Sequence, residues 1–147
     1  MKTLLATAVL FTSGLFLASA GDPASDLDRL QGAWIVASLL EEGKAVPAAE
    51  LGDLEVVVQK DVFTVNEKGK AIAQYQFVLD PTKNPKTIDF THLIGKDKGT
   101  KEPGIYAMEK GQIRICLDES KKARPTSFEG NTYSVIVVKR KPAKDAK

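Results

Sequence analysis

The segment Ala71 to Leu79 alternates strictly. Ala73, Tyr75, Phe77 and Leu79 share one parity, and Gln74 and Gln76 take the other. A period of two puts alternate side chains on opposite faces of an extended chain, so this is a strand with one face in a core. Comparable runs recur at Trp34–Leu40, Leu54–Gln59, Val62–Asn66, Lys86–Leu93, Gly104–Glu109, Gln112–Asp118 and Thr132–Lys139. Lys60-Asp61, Glu67-Lys68-Gly69-Lys70 and Lys110-Gly111 read as tight turns between them. No helical period separates the runs, which excludes parallel βαβ units. Eight antiparallel strands in sequence order predict an all-β, up-and-down barrel, which leaves no open edge and can enclose one small ligand. A two-sheet sandwich is the competing architecture.

The connections complete this plan. Asp22 to Gln31 is polar with leucines at 27 and 30, a spacing for one or two helical turns capped by Ser25 or Asp26 and placed as a plug in one barrel end. Trp34–Leu40 is apolar on both parities and is expected to be covered on both faces. Asp80 to Pro85 must be a loop because two prolines cannot donate to a ladder. Gly95–Lys101 is a polar, flexible loop, and Glu119–Gly130 is the longest irregular stretch.

The first twenty residues stand outside the fold. Lys2 precedes an apolar run from Leu4 to Ala18, and Ala18-Ser19-Ala20 has the small-x-small pattern of a signal-peptidase site. The run is short for a membrane span, so the expectation is a cleaved signal peptide over 1–20, no stable membrane span afterwards, and a secreted or periplasmic protein. A barrel domain is expected over 21–141 and a basic, disordered tail over 142–147. The formal net charge of +2 includes Lys2, so the exported chain carries little net charge. The sole cysteine, Cys116, cannot form an internal disulfide, and burial must supply the stability.

No residue set specifies a reaction. His92 is the only histidine, with no nucleophile assigned to it; at a strand end beside a polar loop it reads as structural or solvated. One His and one Cys are too few for zinc, and the glycines around Lys96 lack phosphate-loop spacing. Basic and aromatic residues do not interleave as in nucleic-acid binders. The expectation is a monomeric non-enzyme without metal or cofactor. Cys116 reads as a small buried hydrophobe. Arg124, before Pro125 in the longest connection, either donates to loop carbonyls and seals a barrel end or anchors an anionic head group; the first is preferred because an Arg fork commonly satisfies loop acceptors. Phe63, Tyr75, Phe77, Phe90, Tyr106 and Met108 share the inward parity and either line a ligand pocket or fill the core.

Gly32-x-Trp34, at the start of the first strand after a short helical turn, resembles the lipocalin signature. The resemblance implies that Trp34 floors the closed end, that Gly32 lets the backbone turn tightly, and that a basic residue ending the last strand packs across the indole. The candidates are Arg140 and, on the opposite parity, Lys139. Nearly all of the exported chain also resembles a family of secreted, lipocalin-like (calycin) domains of unassigned function, common in planctomycete bacteria. The matching pieces are Leu30-Gln31-Gly32-Ala33-Trp34, Asp80-Pro81-Thr82-Lys83-Asn84-Pro85-Lys86-Thr87-Ile88-Asp89, Gly104-Ile105-Tyr106, Ile113-Arg114-Ile115-Cys116 and Arg124-Pro125-Thr126-Ser127-Phe128. The chain lacks the disulfide of better-known lipocalins. The implied function is binding of a small apolar or amphipathic molecule in the barrel. The alternative is a solid-core protein- or glycan-interaction module of the cell envelope, using the Asp80–Lys86 and Gly95–Lys101 loops.

Overall fold

The structure, a computed structural model, describes residues 23–142. The expected signal peptide and residues 143–147 of the expected tail lie outside the described residues. The chain forms α1 (Pro23–Leu30), β1 (Gly32–Glu41), β2 (Lys44–Ala45), α2 (Ala48–Leu51), β3 (Leu54–Gln59), β4 (Val62–Glu67), β5 (Lys70–Asp80), β6 (Lys86–His92), β7 (Lys101–Glu109), β8 (Gln112–Asp118) and β9 (Tyr133–Arg140). Every strand pairs antiparallel with its sequence neighbour in the barrel, and β1 also pairs with β9. That last pairing closes an eight-stranded barrel and rules out the sandwich. The two-residue β2 only extends the hairpin at the end of β1. No helix among the described residues is long and apolar enough to cross a membrane.

The β5 alternation behaves as its residues predict. Phe77 is buried and Tyr75 and Leu79 pack against the core, whereas Ile72 and Val78 on the other parity are exposed. The β1–β9 seam is less regular. Its register shifts between Val36 and Ser38, so Trp34 and Val36 point inward and, after the bulge, Leu39 packs against the core. β7 begins at Lys101, three residues before the sequence reading started it, because Pro103 sits within the ladder opposite Asp89. The helix also differs. Pro23 opens it, a position where a missing N–H costs nothing, so Ser25 and Asp26 lie inside α1 and not at its N-cap.

Strand alternation distributes the connections to two ends. α1, the Lys60-Asp61 turn, the 81–85 loop and the Lys110-Gly111 turn close one end. The Glu42-Gly43 turn, the 93–100 loop and the 119–132 segment surround the other, which we call the mouth.

The closed end is built on Trp34. The indole is buried, its Nε1 donates to the Leu30 carbonyl at 2.8 Å, and the Arg140 guanidinium lies 3.8 Å from the ring centroid. Trp34 and Arg140 are direct cross-strand partners, which selects Arg140 over the outward Lys139. Arg140 also donates to the carbonyl of Arg29 in the last turn of α1 and to that of Gln31 just beyond it. Gly32 has φ +112°, and a Cβ there would stand 2.9 Å from Arg140 Nη1. Glycine is needed both for the conformation and for the approach of the guanidinium. Gln31 then ties the helix exit to the β3–β4 turn by accepting from Lys60 N–H and donating to its carbonyl.

Arg140→Ala removes the cation–π contact and two charged hydrogen bonds, an expected loss of about 2–3 kcal/mol. Lys139→Ala, one residue away and outward, should cost less than about 0.5 kcal/mol. Thermal unfolding of the two variants checks the contrast.

Candidate functional site

Trp34 floors the closed end, and a carboxylate is set beside it. Asp26 projects from α1 into the barrel, where its side chain is 3% exposed. Oδ2 accepts from Tyr106 Oη at 2.7 Å and from Lys86 Nζ at 2.9 Å, and Arg29 approaches Oδ1 at 3.9 Å. Lys86 and Tyr106 face each other across β6 and β7, so the ladder presents both donors to one carboxylate. Burial pushes the Asp26 carboxyl up, but the hydrogen bonds from Lys86 and Tyr106 and the charges of Lys86 and Arg29 outweigh it and hold the group below its ordinary 3.8. Burial and the bond to Asp26 push the Tyr106 hydroxyl far up, so it stays a donor.

Above this floor the six inward residues named from the sequence separate into layers. Phe77 is buried, and Tyr106 is committed to Asp26; Met108 packs against the core near the closed end. Phe63, Tyr75 and Phe90 form an edge-on trio with centroids 5.3–6.3 Å apart, and Phe77 adds to it 6.3 Å from Phe90. Such pairs contribute about 0.5–1.5 kcal/mol each beyond burial, so the trio is a packed layer as well as a lining. Between it and the mouth a cavity of about 90 Å³ remains, lined by Phe63, Val65, Tyr75, Phe90, Ile115, Leu117 and Ile136.

The rim of that cavity is charged. His92 faces Tyr75 across the β5–β6 ladder, ring to ring at 4.7 Å, and Glu102 faces Phe90 across β6–β7. The Glu102 carboxylate accepts from His92 Nε2 through Oε2 at 3.0 Å. Its side chain is 10% exposed and that of His92 12%. Lys121, from the segment after β8, places Nζ 3.2 Å from Asp97 and 3.9 Å from Glu102 Oε1. Burial, then the charges of Glu102 and Asp97, raises the Tyr75 hydroxyl above its ordinary value. Glu119, which accepts from Ser134, is raised by burial and then by Glu41, Glu42, Glu102 and Asp118.

His92 is thus neither solvated nor isolated, and Glu102 is a residue the sequence reading missed. Its signal was its parity: it shares that of Gly104, Tyr106 and Met108 once β7 is continued back through Pro103.

Arg124 is structural, but it does not seal a barrel end. Nη1 donates to the Gly104 carbonyl at 2.8 Å and Nη2 pairs with Asp89 at 2.7 Å, which clamps the 119–132 segment onto the outer wall. Ile105, Cys116 and Val135 point outward beneath that segment and are covered with help from Phe128 and Tyr133. Arg114 lies 4.6 Å from the Phe128 ring. A wide, open groove of about 860 Å³ runs along the clamp, lined in part by Val78, Lys83, Pro85, Ile105, Arg124 and Pro125. The Asp80–Lys86 and Gly95–Lys101 loops lie at opposite ends of β6, so they cannot form one surface.

No group of three or more His, Cys, Asp or Glu among the described residues could hold a metal ion. Neither a family model nor a curated protein nor a solved structure matches the chain.

Asp26→Asn should cost about 2 kcal/mol at pH 7. Because the Asp26 carboxyl is depressed in the folded state, its stabilisation is complete above the unfolded value and is lost as pH falls through the folded one. The unfolding curves of the two proteins should therefore converge only below about pH 4, where both carry a neutral group. Cys116 is fully buried, and burial followed by the Asp118 charge pushes its thiol up to about 11. At pH 7.5 iodoacetamide should leave the native protein unlabelled over hours and label the urea-unfolded protein completely.

Proposed function

We propose that this chain is an exported, lipocalin-like binding protein, not an enzyme, whose mouth takes the apolar end of a small amphipathic molecule. The cavity above the Phe63–Tyr75–Phe90 layer carries this reading. Support also comes from the Gly32-x-Trp34 closed end and from the resemblance of the ordered pieces to secreted lipocalin-like domains.

Size restricts the ligand. Pockets for drug-sized molecules run to about 300–1,000 Å³, and a cavity of about 150 Å³ holds the six carbons of benzene. By proportion, about 90 Å³ takes roughly four carbons. A fatty-acid chain is too long for it. At about 0.8 kcal/mol per buried CH₂, four carbons contribute about 3 kcal/mol, which corresponds to a Kd on the order of 10 mM. Tighter binding needs a contact from the ligand's polar end.

Titration with isobutanol, followed by the methyl resonances of Val65, Ile115, Leu117 and Ile136, tests the reading. Shifts confined to those methyls with a Kd on the order of 10 mM are expected, and Leu117→Phe should abolish them by filling the space. Shifts spread over the surface, or none, reject it.

A solid-core interaction module is the second reading, and the open groove beside Arg124 favours it. Val78 is 67% exposed at its wall. On this reading, sedimentation with purified envelope fragments is lost in Val78→Asp while folding persists.

A further inference from the structure

The mouth combines an apolar cavity with a carboxylate that has one hydrogen-bonded oxygen and one open to solvent. Glu102 Oε2 holds His92, but Oε1 makes no hydrogen bond among the described residues; Lys121 Nζ stops 3.9 Å away, beyond bonding distance. A carboxylate has room for about four donors, so this oxygen, which solvent reaches at the edge of an otherwise buried side chain, is free to take a donor from a ligand. Its surroundings define the partner's charge. Asp97 stands across Lys121 from it, and Glu41, Glu42, Asp118 and Glu119 add negative charge at the same end. Lysines on the same connections, among them Lys44, Lys68, Lys96, Lys98 and Lys101, offset that charge, so the preference for a cation rests on Glu102 itself and on Asp97 beside Lys121. Lys121 itself shows what the carboxylate pair tolerates: a primary ammonium on a flexible alkyl stem, brought to the rim by a residue with φ +60°. Directly below lie the faces and edges of Phe63, Tyr75 and Phe90, whose negative ring faces favour a cation over an anion.

We propose that the mouth is a site for a small aliphatic amine, with an alkyl group of about four carbons in the Phe63–Tyr75–Phe90 cavity and the ammonium donating to Glu102 Oε1. This rests on the mouth-binding reading above and names its ligand class. Lys121 is a competitor in place: its ammonium must swing toward Asp97 and solvent when the ligand's ammonium enters. Its distance to Glu102 and its part exposure permit that without disturbing the barrel. Glu102 and Lys121 would thus set preference for charge, while the aromatic layer sets the size limit.

Three ligands of one shape and different charge test this: isobutylamine, isobutanol and isobutyrate. They are titrated at pH 8, where the amine is protonated and isobutyrate ionised. The readout is the same set of mouth methyl resonances. The amine is expected to bind at least tenfold more tightly than the alcohol, and isobutyrate more weakly than either. Glu102→Gln should reduce the amine to the alcohol's affinity. Lys121→Met removes the competitor from an exposed loop and should tighten the amine three- to tenfold, leaving the alcohol unchanged. If Glu102→Gln does not fold, the Lys121→Met comparison decides. Equal affinity for amine and alcohol at the mouth overturns the amine site and leaves the mouth pocket standing. An unchanged amine affinity in Lys121→Met also overturns it, as does tightest binding by isobutyrate. If none of the three ligands moves the mouth methyls, the pocket reading fails and the amine site with it.

Discussion

Pairing of β1 with β9 is the constraint on which the rest depends. Without it the sheet would have two exposed edges, and its inward residues would have no enclosed volume to fill. The seam joins the two ends of the domain's sequence, so its register must be pinned by something other than a hairpin. Trp34 and Arg140 do this. As direct partners at the closed end they couple a buried ring, a cation and the carbonyls that end α1. A register slip of one residue would turn Arg140 outward and bring Lys139 toward the indole, and every alternating side chain of β9 would change face. The same guanidinium holds the plug helix, so barrel closure and end closure rest on one residue.

Two carboxylates inside the barrel show how differently its ends are finished. Asp26 reaches the floor from α1 and meets two donors within 2.9 Å, with a second cation, Arg29, near its other oxygen. Its charge is stabilised because the donors are fixed by the β6–β7 ladder. Glu102 is placed at the mouth by the same ladder, yet only one of its oxygens is bonded. Its second neighbour, Lys121, comes from an irregular segment on a long stem and shares itself with Asp97. A part-exposed pair of that kind contributes less than about 1 kcal/mol. The floor is therefore a structural lock, and the mouth retains polar capacity.

The interior between them is mostly filled. The edge-on aromatic layer occupies the middle of the barrel, and the remaining space is far below the volume of a lipid-binding calyx. This distribution places recognition at the rim, where a few apolar carbons and one polar contact meet. It also leaves the outer wall as a second surface. The 119–132 segment, held by Arg124 and by packing over Cys116, thickens that wall on one side and borders the groove.

The strand pattern was legible in the sequence because burial on one face imposes a period of two. It yielded the all-β class, the eight strands, the hairpin turns and the inward set on β5. Trp34 as the floor and Arg140 as its cover were legible too, since a glycine, a ring and a terminal cation sit at matching ends of the first and last strands. Three things were not. Pro103 interrupts the pattern that would have carried β7 back to Glu102, so the buried carboxylate stayed hidden between the Gly95–Lys101 loop and the strand read from Gly104. Asp26 looked like a cap because a helix start favours Asp, whereas its partners Lys86 and Tyr106 lie sixty and eighty residues away. Arg124 was expected to donate to loop carbonyls at a barrel end, whereas its acceptor is the Gly104 carbonyl on β7, because the longest connection lies against the outer wall. Local periodicity determined which residues face inward. Only closure of the barrel decided which of them meet, how much space they leave, and which carboxylate stays open to solvent at the mouth, because those depend on distances between strands far apart in sequence.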